Sequence, residues 1–169
     1  MDATAFIALA LACAPDVHGQ TAQALVQVES NFNPWAIGVV GGALVRQPRN
    51  RAEALSTARA LRAQGWSFSV GLGQIHVGNF DRLGLTLESA FDPCTNLAAM
   101  QAILSDCFGA APGQGTAPRH EQLALRQALS CYYSGNYATG FRHGYVRRVV
   151  DATTGPLRHH PLALTKEKP

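Results

Sequence analysis

Apolar residues recur at helical spacing along most of this 169-residue sequence, and Pro or Gly residues repeatedly interrupt the pattern. Because Pro cannot continue a helix and Gly favours helix ends, these interruptions divide the chain into separate helices. The pattern predicts helices over residues 4–13, 19–30, 50–64, 92–109, 119–133 and 141–152. The chain is therefore predicted to consist mainly of packed helices.

Two short segments depart from this pattern. β-Branched residues surround a Gly-Gly pair in segment 36–45, and segment 67–75 is similar. Together they predict a small hairpin or short sheet, so the expected fold class is α+β, mainly α. The length suits one domain, which we expect over residues 1–155. The polar, Pro-flanked end at 156–169 is expected to be a mobile tail. Weak metal binding by its His159-His160 pair is the less favoured interpretation of that pair.

Composition excludes several classes of protein. Apolar residues make up 47% and charged residues 15%, the balance of a compact globule, and the net charge of +3 comes from scattered residues. A nucleic-acid partner is therefore disfavoured. The apolar segment 6–13 is far shorter than the roughly 20 residues of a transmembrane helix, and no basic residue precedes it. We expect a buried helix there, with a lipoprotein signal at Cys13 as the alternative and no export signal evident.

The four cysteines, Cys13, Cys94, Cys107 and Cys131, are an even number without the close spacing of a zinc site. They predict two disulfides and an oxidising compartment, with four buried thiols as the alternative. If Cys94 and Cys107 share one helix, roughly 20 Å separates them, whereas a disulfide needs Cα atoms within about 7 Å. Either Cys13–Cys94 with Cys107–Cys131, or Cys13–Cys107 with Cys94–Cys131, remains.

Glu29 is the candidate catalytic residue. It lies on the apolar stripe of the second helix with Ala22, Leu25 and Val26, in the last turn. Burial and the negative end of the helix dipole both favour the protonated carboxyl, which is the form that a general acid needs. From the pattern alone, a glutamate that simply reaches solvent is the favoured alternative.

Three motifs reverse that preference. Residues 29–34 (Glu-Ser-Asn-Phe-Asn-Pro) resemble the catalytic segment of lytic transglycosylases. Residues 71–75 (Gly-Leu-Gly-Gln-Ile) resemble the second motif of that family, and residues 131–135 (Cys-Tyr-Tyr-Ser-Gly) stand where its third motif lies. They occur in the family's order and the resemblance covers residues 10–150. The chain thus resembles lytic transglycosylases of the lysozyme-like superfamily.

A closer resemblance is to the transglycosylases that accompany type IV secretion and conjugation systems. Two residues depart from the wider lytic transglycosylase family. Gly73 replaces the usual Met of the second motif, which removes a side chain from the groove floor, and Tyr133 replaces an Asn of the third motif. The segments that carry this closer resemblance are 13–15, 36–39, 46–48, 91–94 and 131–136.

The resemblance implies a lysozyme-like helical domain with the small sheet beside a substrate groove. Gly71 and Gly73 would let the backbone approach a sugar, and Gln74 would offer its amide. The buried ring of Tyr132 would direct its hydroxyl to Glu29 or to the sugar. The expected substrate-binding residues are Ser30, Gly71, Gln74, Tyr132, Tyr133 and Asn136.

The resemblance also implies single-glutamate chemistry, since Asp81, Glu88 and Asp92 lie in a segment that the family places away from the catalytic residue. Glu29 would cleave the MurNAc–GlcNAc β-1,4 bond of peptidoglycan and form 1,6-anhydro-muramyl ends, with no metal or organic cofactor. The expected location is the periplasm, with components of a type IV secretion system as partners. A hydrolytic muramidase that uses the same glutamate and a noncatalytic peptidoglycan-binding assembly factor are the alternatives.

Overall fold

The computed structural model describes residues 3–113, 115 and 117–154. A three-stranded antiparallel sheet in the order β1-β2-β3 is formed by β1 (Ile37–Val39), β2 (Phe68–Val70) and β3 (Ile75–His76). The helices are α1 (Ala3–Cys13), α2 (Gly19–Ser30), α3 (Arg51–Ala63), α4 (Phe80–Leu83), α5 (Leu87–Ala90), α6 (Pro93–Gly109), α7 (Pro118–Ser134), α8 (Thr139–Arg142) and α9 (Tyr145–Thr154). The expected α+β, mainly helical architecture is confirmed.

Side-chain caps fix the beginnings of two predicted helices. Asn50 accepts a hydrogen bond from the backbone N–H of Glu53 at 3.0 Å and so starts α3. Asp92 accepts from the N–H of Thr95 at 2.8 Å and starts α6, with Pro93 in the first turn. Such caps satisfy N–H groups that have no partner within the helix. Both predicted beginnings are confirmed.

The structure corrects the predicted last helix, 141–152. Gly144 has a φ of +68°, so the chain there leaves the helical conformation and forms the short α8 and the separate α9. The helices α4 and α5 were not predicted, because one turn is too short for a periodic pattern to show. Segment 67–75 likewise contributes two strands, because the turn at 71–74 divides it.

Both disulfides connect helices. Cys13 pairs with Cys94 and ties α1 to the start of α6, with Cα atoms 5.1 Å apart. Cys107 pairs with Cys131 and ties α6 to α7, with Cα atoms 5.8 Å apart. This is the first of the two pairings that the sequence left open.

The core lies between α1, α2, α6, α7 and α9, and α2 packs against both α1 and α9. None of the helices in the described part of the chain is long and apolar enough to cross a membrane. The predicted tail at 156–169, with His159-His160, lies outside the described residues. The largest fully buried side chains include Phe6, Leu25, Val26, Leu97, Met100 and Tyr145.

Candidate active site

The carboxyl group of Glu29 lies inside the protein. Only 3% of the residue is exposed, and Ala22, Leu25 and Val26 on the same face of α2 are fully buried, as the stripe predicts. The hydroxyl of Tyr145, in the first turn of α9, donates a hydrogen bond to Oε1 of Glu29 at 2.5 Å. The packing of α2 against α9 therefore brings these two groups together.

A strained turn ends α2 directly after the glutamate. Asn31 and Phe32 have φ values of +50° and +59°, a left-handed conformation that costs about 1–2 kcal/mol for each such residue. The N–H of Asn31 donates to the carbonyl of Gln27 at 3.1 Å, and the ring of Phe32 packs edge-on against Phe6 at 5.1 Å. These contacts hold the turn, and with it the position of Glu29 in the final turn of the helix.

A stack of side chains holds the ring of Tyr145. The ring of Tyr133 lies nearly parallel to it, with centroids 4.5 Å apart and an angle of 18°. The guanidinium of Arg148 lies 5.8 Å from the centre of the Tyr145 ring. On the other side of the stack, the Tyr133 hydroxyl contacts Nδ1 of His143 at 3.3 Å. The Tyr145 hydroxyl is thereby aimed at Glu29.

Two buried tyrosines remain hydrogen-bond donors at all physiological pH values. Burial raises the pKa of Tyr145 well above its usual value of 10, and the nearby negative charge of Glu29 raises it further. The pKa of Tyr132 is raised by the same two causes, in the same order. Both hydroxyls therefore stay protonated at neutral pH.

The sequence did not identify Tyr145. It is 116 residues from Glu29 and belongs to the buried stripe of α9 with Val146 and Val149. Its sequence pattern is therefore that of an ordinary core residue. Its position in the first turn after Gly144 was the available signal, because a glycine break often fixes the start of an element. The break itself was missed, and the tyrosine was missed with it.

The second motif is held by side chains from two helices. Gly71 has a φ of +79°, and the N–H of Gly73 donates to Oδ1 of Asn96 on α6 at 2.7 Å. The hydroxyl of Tyr132 on α7 donates to the carbonyl of Gly73 at 2.5 Å. A Cβ atom on Gly73 would lie 3.0 Å from both the Tyr132 hydroxyl and Met100. A side chain at position 73 would therefore crowd Tyr132 and Met100.

The side-chain amide of Gln74 is turned into the protein. It donates to the carbonyls of Ala36 at 3.1 Å and Gly71 at 3.0 Å, and the residue is only 4% exposed. Its Oε1 atom is buried with no hydrogen-bond partner among the described residues, and it faces Gly38, where a Cβ would lie 2.7 Å away. Gln74 therefore joins β1 to the Gly71 turn, and its contact with a sugar stays a prediction.

Two further predicted residues make local hydrogen bonds. The buried hydroxyl of Ser30 donates to the carbonyl of Val26 at 3.2 Å. The Oδ1 atom of Asn136 accepts from the N–H groups of Ala138 at 3.0 Å and Thr139 at 2.8 Å, and so starts α8. Both residues stabilise the segments that carry Glu29 and Tyr133, while their contact with substrate remains a prediction.

A cavity of 490 Å³ opens beside Tyr132 and Tyr133, between the sheet, α4, α6 and the end of α7. This volume is in the range of ordinary small-molecule sites. Its apolar part includes Ile103 and the Cys107–Cys131 disulfide, and its polar part includes Ser67, His76, Asn79, Arg82 and Asp106. We call this cavity the groove.

The other acidic residues named from the sequence have different surroundings. The carboxylate of Glu88 pairs with Arg59 at 2.6 Å, and Asp92 caps α6. Asp81 is exposed in the first turn of α4. Within the described ranges, no group of three His, Cys, Asp or Glu side chains is placed to hold a metal ion.

Comparison with known proteins gives consistent matches. The model of the family "Transglycosylase SLT domain" matches residues 7–151. The type IV secretion system protein virB1 of Brucella suis biovar 1 is 49% identical over 169 residues, covering 93% of this chain and 68% of the relative. Protein virB1 of Agrobacterium fabrum is 38% identical over 162 residues, covering 93% of this chain and 63% of the relative. No solved structure matches the chain.

Proposed function

This chain belongs to the transglycosylase SLT domain family and is a lytic transglycosylase, and on that premise we propose that Glu29 is its single catalytic acid and base. The observation that carries this assignment is the buried carboxyl of Glu29, which the Tyr145 hydroxyl contacts at 2.5 Å. Burying a carboxyl group is costly unless it has a hydrogen-bond partner, and the Tyr145 hydroxyl supplies one to Glu29.

The proposed substrate is the β-1,4 bond between MurNAc and GlcNAc in peptidoglycan. Glu29 first donates its proton to the glycosidic oxygen as the bond from that oxygen to the muramyl C1 breaks. The Glu29 carboxylate then takes the proton of the muramyl C6 hydroxyl, and O6 bonds to C1. The product carries a 1,6-anhydro ring, and Glu29 regains its proton, so protons balance over the cycle.

The remaining site residues have roles that follow from their contacts. Tyr145 stabilises the negative charge on Glu29 when the proton has left. Tyr132 and Tyr133 line the groove and contact the sugar. The hydrogen bonds of Ser30, Gln74 and Asn136 hold the surrounding backbone in place. Direct substrate contacts of these three residues and of Gly71 remain predictions.

The biological setting follows from the relatives. The Brucella suis relative is named a type IV secretion system protein, virB1, and the Agrobacterium fabrum relative shares the name virB1. We infer that this chain opens peptidoglycan locally for such a system and acts in the periplasm. The two disulfides support an oxidising location.

The test is digestion of purified peptidoglycan with the wild-type protein, with Glu29→Gln and with the matched surface variant Glu121→Gln. Glu121 is exposed on α7, so the same chemical change there is expected to leave activity intact. Mass spectrometry of the released muropeptides is expected to show anhydro-muramyl ends from the wild type and Glu121→Gln, and none from Glu29→Gln.

The other outcomes separate the alternatives. Reducing muramyl ends would assign the chain to hydrolytic muramidases that use the same glutamate. Equal release by wild type and Glu29→Gln would remove Glu29 from the mechanism. Binding to peptidoglycan with no product from any folded variant would favour a noncatalytic assembly factor.

A further inference from the structure

Two side chains of opposite charge lie together in the wall of the groove. Nη1 of Arg82, on α4, lies 2.6 Å from Oδ2 of Asp106, on α6. Nη2 of Arg82 also reaches Oδ1 of Asn79 at 3.5 Å, at the outer limit of a hydrogen bond. The two charged side chains are 49% and 64% exposed, so both meet solvent within the groove.

Protein stability does not explain this ion pair. Exposed pairs of this kind contribute little to the free energy of unfolding, because water screens them and ordering long side chains costs entropy. The pair also leaves N–H donors of Arg82 and a carboxylate oxygen of Asp106 available to a ligand at the groove wall. Asp106 and Asn79 occupy two of the five N–H donors of Arg82, and Asp106 keeps a second carboxylate oxygen.

The neighbouring polar groups form hydrogen bonds with one another. Nδ1 of His76 accepts the N–H of Gly78 at 3.0 Å, so the hydrogen of a neutral ring lies on Nε2 and is donated to Oγ of Ser67 at 2.7 Å. The charged ion pair of this wall is that of Arg82 and Asp106.

From this arrangement we propose that the Arg82–Asp106 pair binds the peptide stem of peptidoglycan, so that the enzyme selects glycan strands that carry peptides. The inference rests on the proposed function. In strands that carry peptides the lactyl carboxyl of MurNAc is tied up in an amide bond, so the sugars offer neutral hydroxyl and acetamido groups, whereas the stem offers carboxylates and, on its diamino acid, an ammonium group. A wall with one guanidinium and one carboxylate complements that pair of charges.

The test compares two forms of one substrate: intact sacculi, and sacculi from which an N-acetylmuramoyl-L-alanine amidase has removed the peptides. The variant is Arg82→Ala with Asp106→Ala. The matched control is Arg59→Ala with Glu88→Ala, which removes another 2.6 Å ion pair of similar exposure, 60% and 49%, outside the groove lining. Both kcat/KM and retention of the protein on each substrate immobilised on beads are measured.

We expect the wild type to favour intact sacculi by about tenfold or more, a difference of about 1.4 kcal/mol. The groove variant should lose about tenfold in kcat/KM and in binding on intact sacculi and change less than about twofold on stripped strands. The control should keep the wild-type preference on both.

Equal losses by the groove variant on both substrates would overturn the proposal in favour of a sugar-binding or structural role. An unchanged preference in that variant would overturn it as well. If no protein cleaves either substrate but only the groove variant loses its binding preference, the peptide inference stands and the proposed catalytic function falls. If binding shows no preference either, both fall.

Discussion

Replacing Tyr145 with Phe removes one hydroxyl from the active centre and leaves the aromatic ring in place. The hydroxyl donates to Oε1 of Glu29 at 2.5 Å, while the ring stacks on Tyr133 at 4.5 Å and keeps that contact as Phe. As Glu29 protonates the glycosidic oxygen, negative charge develops on the carboxylate, and the tyrosine hydroxyl stabilises it. Tyr145→Phe therefore slows the acid step.

The size of the effect follows from the kind of hydrogen bond that is lost. A hydrogen bond to a charged group is worth about 1.5–3 kcal/mol. Since about 1.4 kcal/mol corresponds to a tenfold change in rate, kcat should fall by about 10- to 150-fold. Because burial holds the pKa of Tyr145 well above 10, its hydroxyl stays protonated, and the ratio of wild-type to variant rates should be constant between about pH 6 and 9.

The assay is the initial rate of anhydro-muropeptide release at several substrate concentrations, with thermal unfolding followed in parallel. Tyr137→Phe is the matched control, since its hydroxyl donates to the neutral backbone carbonyl of Cys107 at 3.1 Å. Its kcat should stay within about twofold of wild type. A folded Tyr145→Phe protein with kcat within about threefold of wild type would refute the reasoning, as would an equal loss in the control.

Three further predictions concern stability. Gly73→Ala should lower the free energy of unfolding by about 1–3 kcal/mol in urea titrations, because the added Cβ would lie 3.0 Å from side chains of α6 and α7, and an unchanged value would contradict this packing. The double variant Cys107→Ser with Cys131→Ser should lower the free energy of unfolding by about 3 kcal/mol, because this disulfide closes a loop of 24 residues. Reductant should lower the melting temperature of the wild type more than that of the variant, because the variant no longer contains this bond. Asp92→Ala should cost about 0.5–2 kcal/mol at pH 7, because it removes the cap of α6. Hydrogen bonds from the backbone N–H and hydroxyl of Thr95 lower the pKa of Asp92. The part of its stabilisation that depends on charge is therefore complete above the ordinary aspartate pKa of about 3.9 and is lost as pH falls through the lower folded-state pKa. A stability difference between wild type and variant that did not shrink as the pH was lowered would contradict this.

The groups that the sequence predicted correctly are those fixed by local patterns. The stripe of Ala22, Leu25 and Val26 places Glu29 on the buried face of α2, and the structure confirms that burial. Asn50 and the Asp92-Pro93 pair mark helix beginnings, since a cap is recognised within four residues. The sequence motifs led to the family, which the match over residues 7–151 shows.

Local patterns are least informative for the contacts of the active centre. From the sequence, the Tyr132 hydroxyl was expected to reach Glu29 or the sugar, yet it donates to the carbonyl of Gly73 and Tyr145 contacts the glutamate. The sequence likewise did not show that the Gln74 amide donates to two backbone carbonyls, while its expected contact with a sugar stays a prediction. Which donor meets which acceptor depends on the positions of α7 and α9, and no pattern within either helix contains that information.

The sequence by itself determined the helical character of the chain and the place of Glu29 on the apolar stripe of its helix, because both depend on spacing along one segment. It also reduced the possible disulfide pairings to two. The tertiary structure decided which pairing forms, which tyrosine contacts Glu29, and that Arg82 and Asp106 meet in the groove. These contacts join residues from 24 to 116 positions apart. They depend on how whole helices pack against one another, and side-chain packing across the core fixes that arrangement only when all the elements are in place.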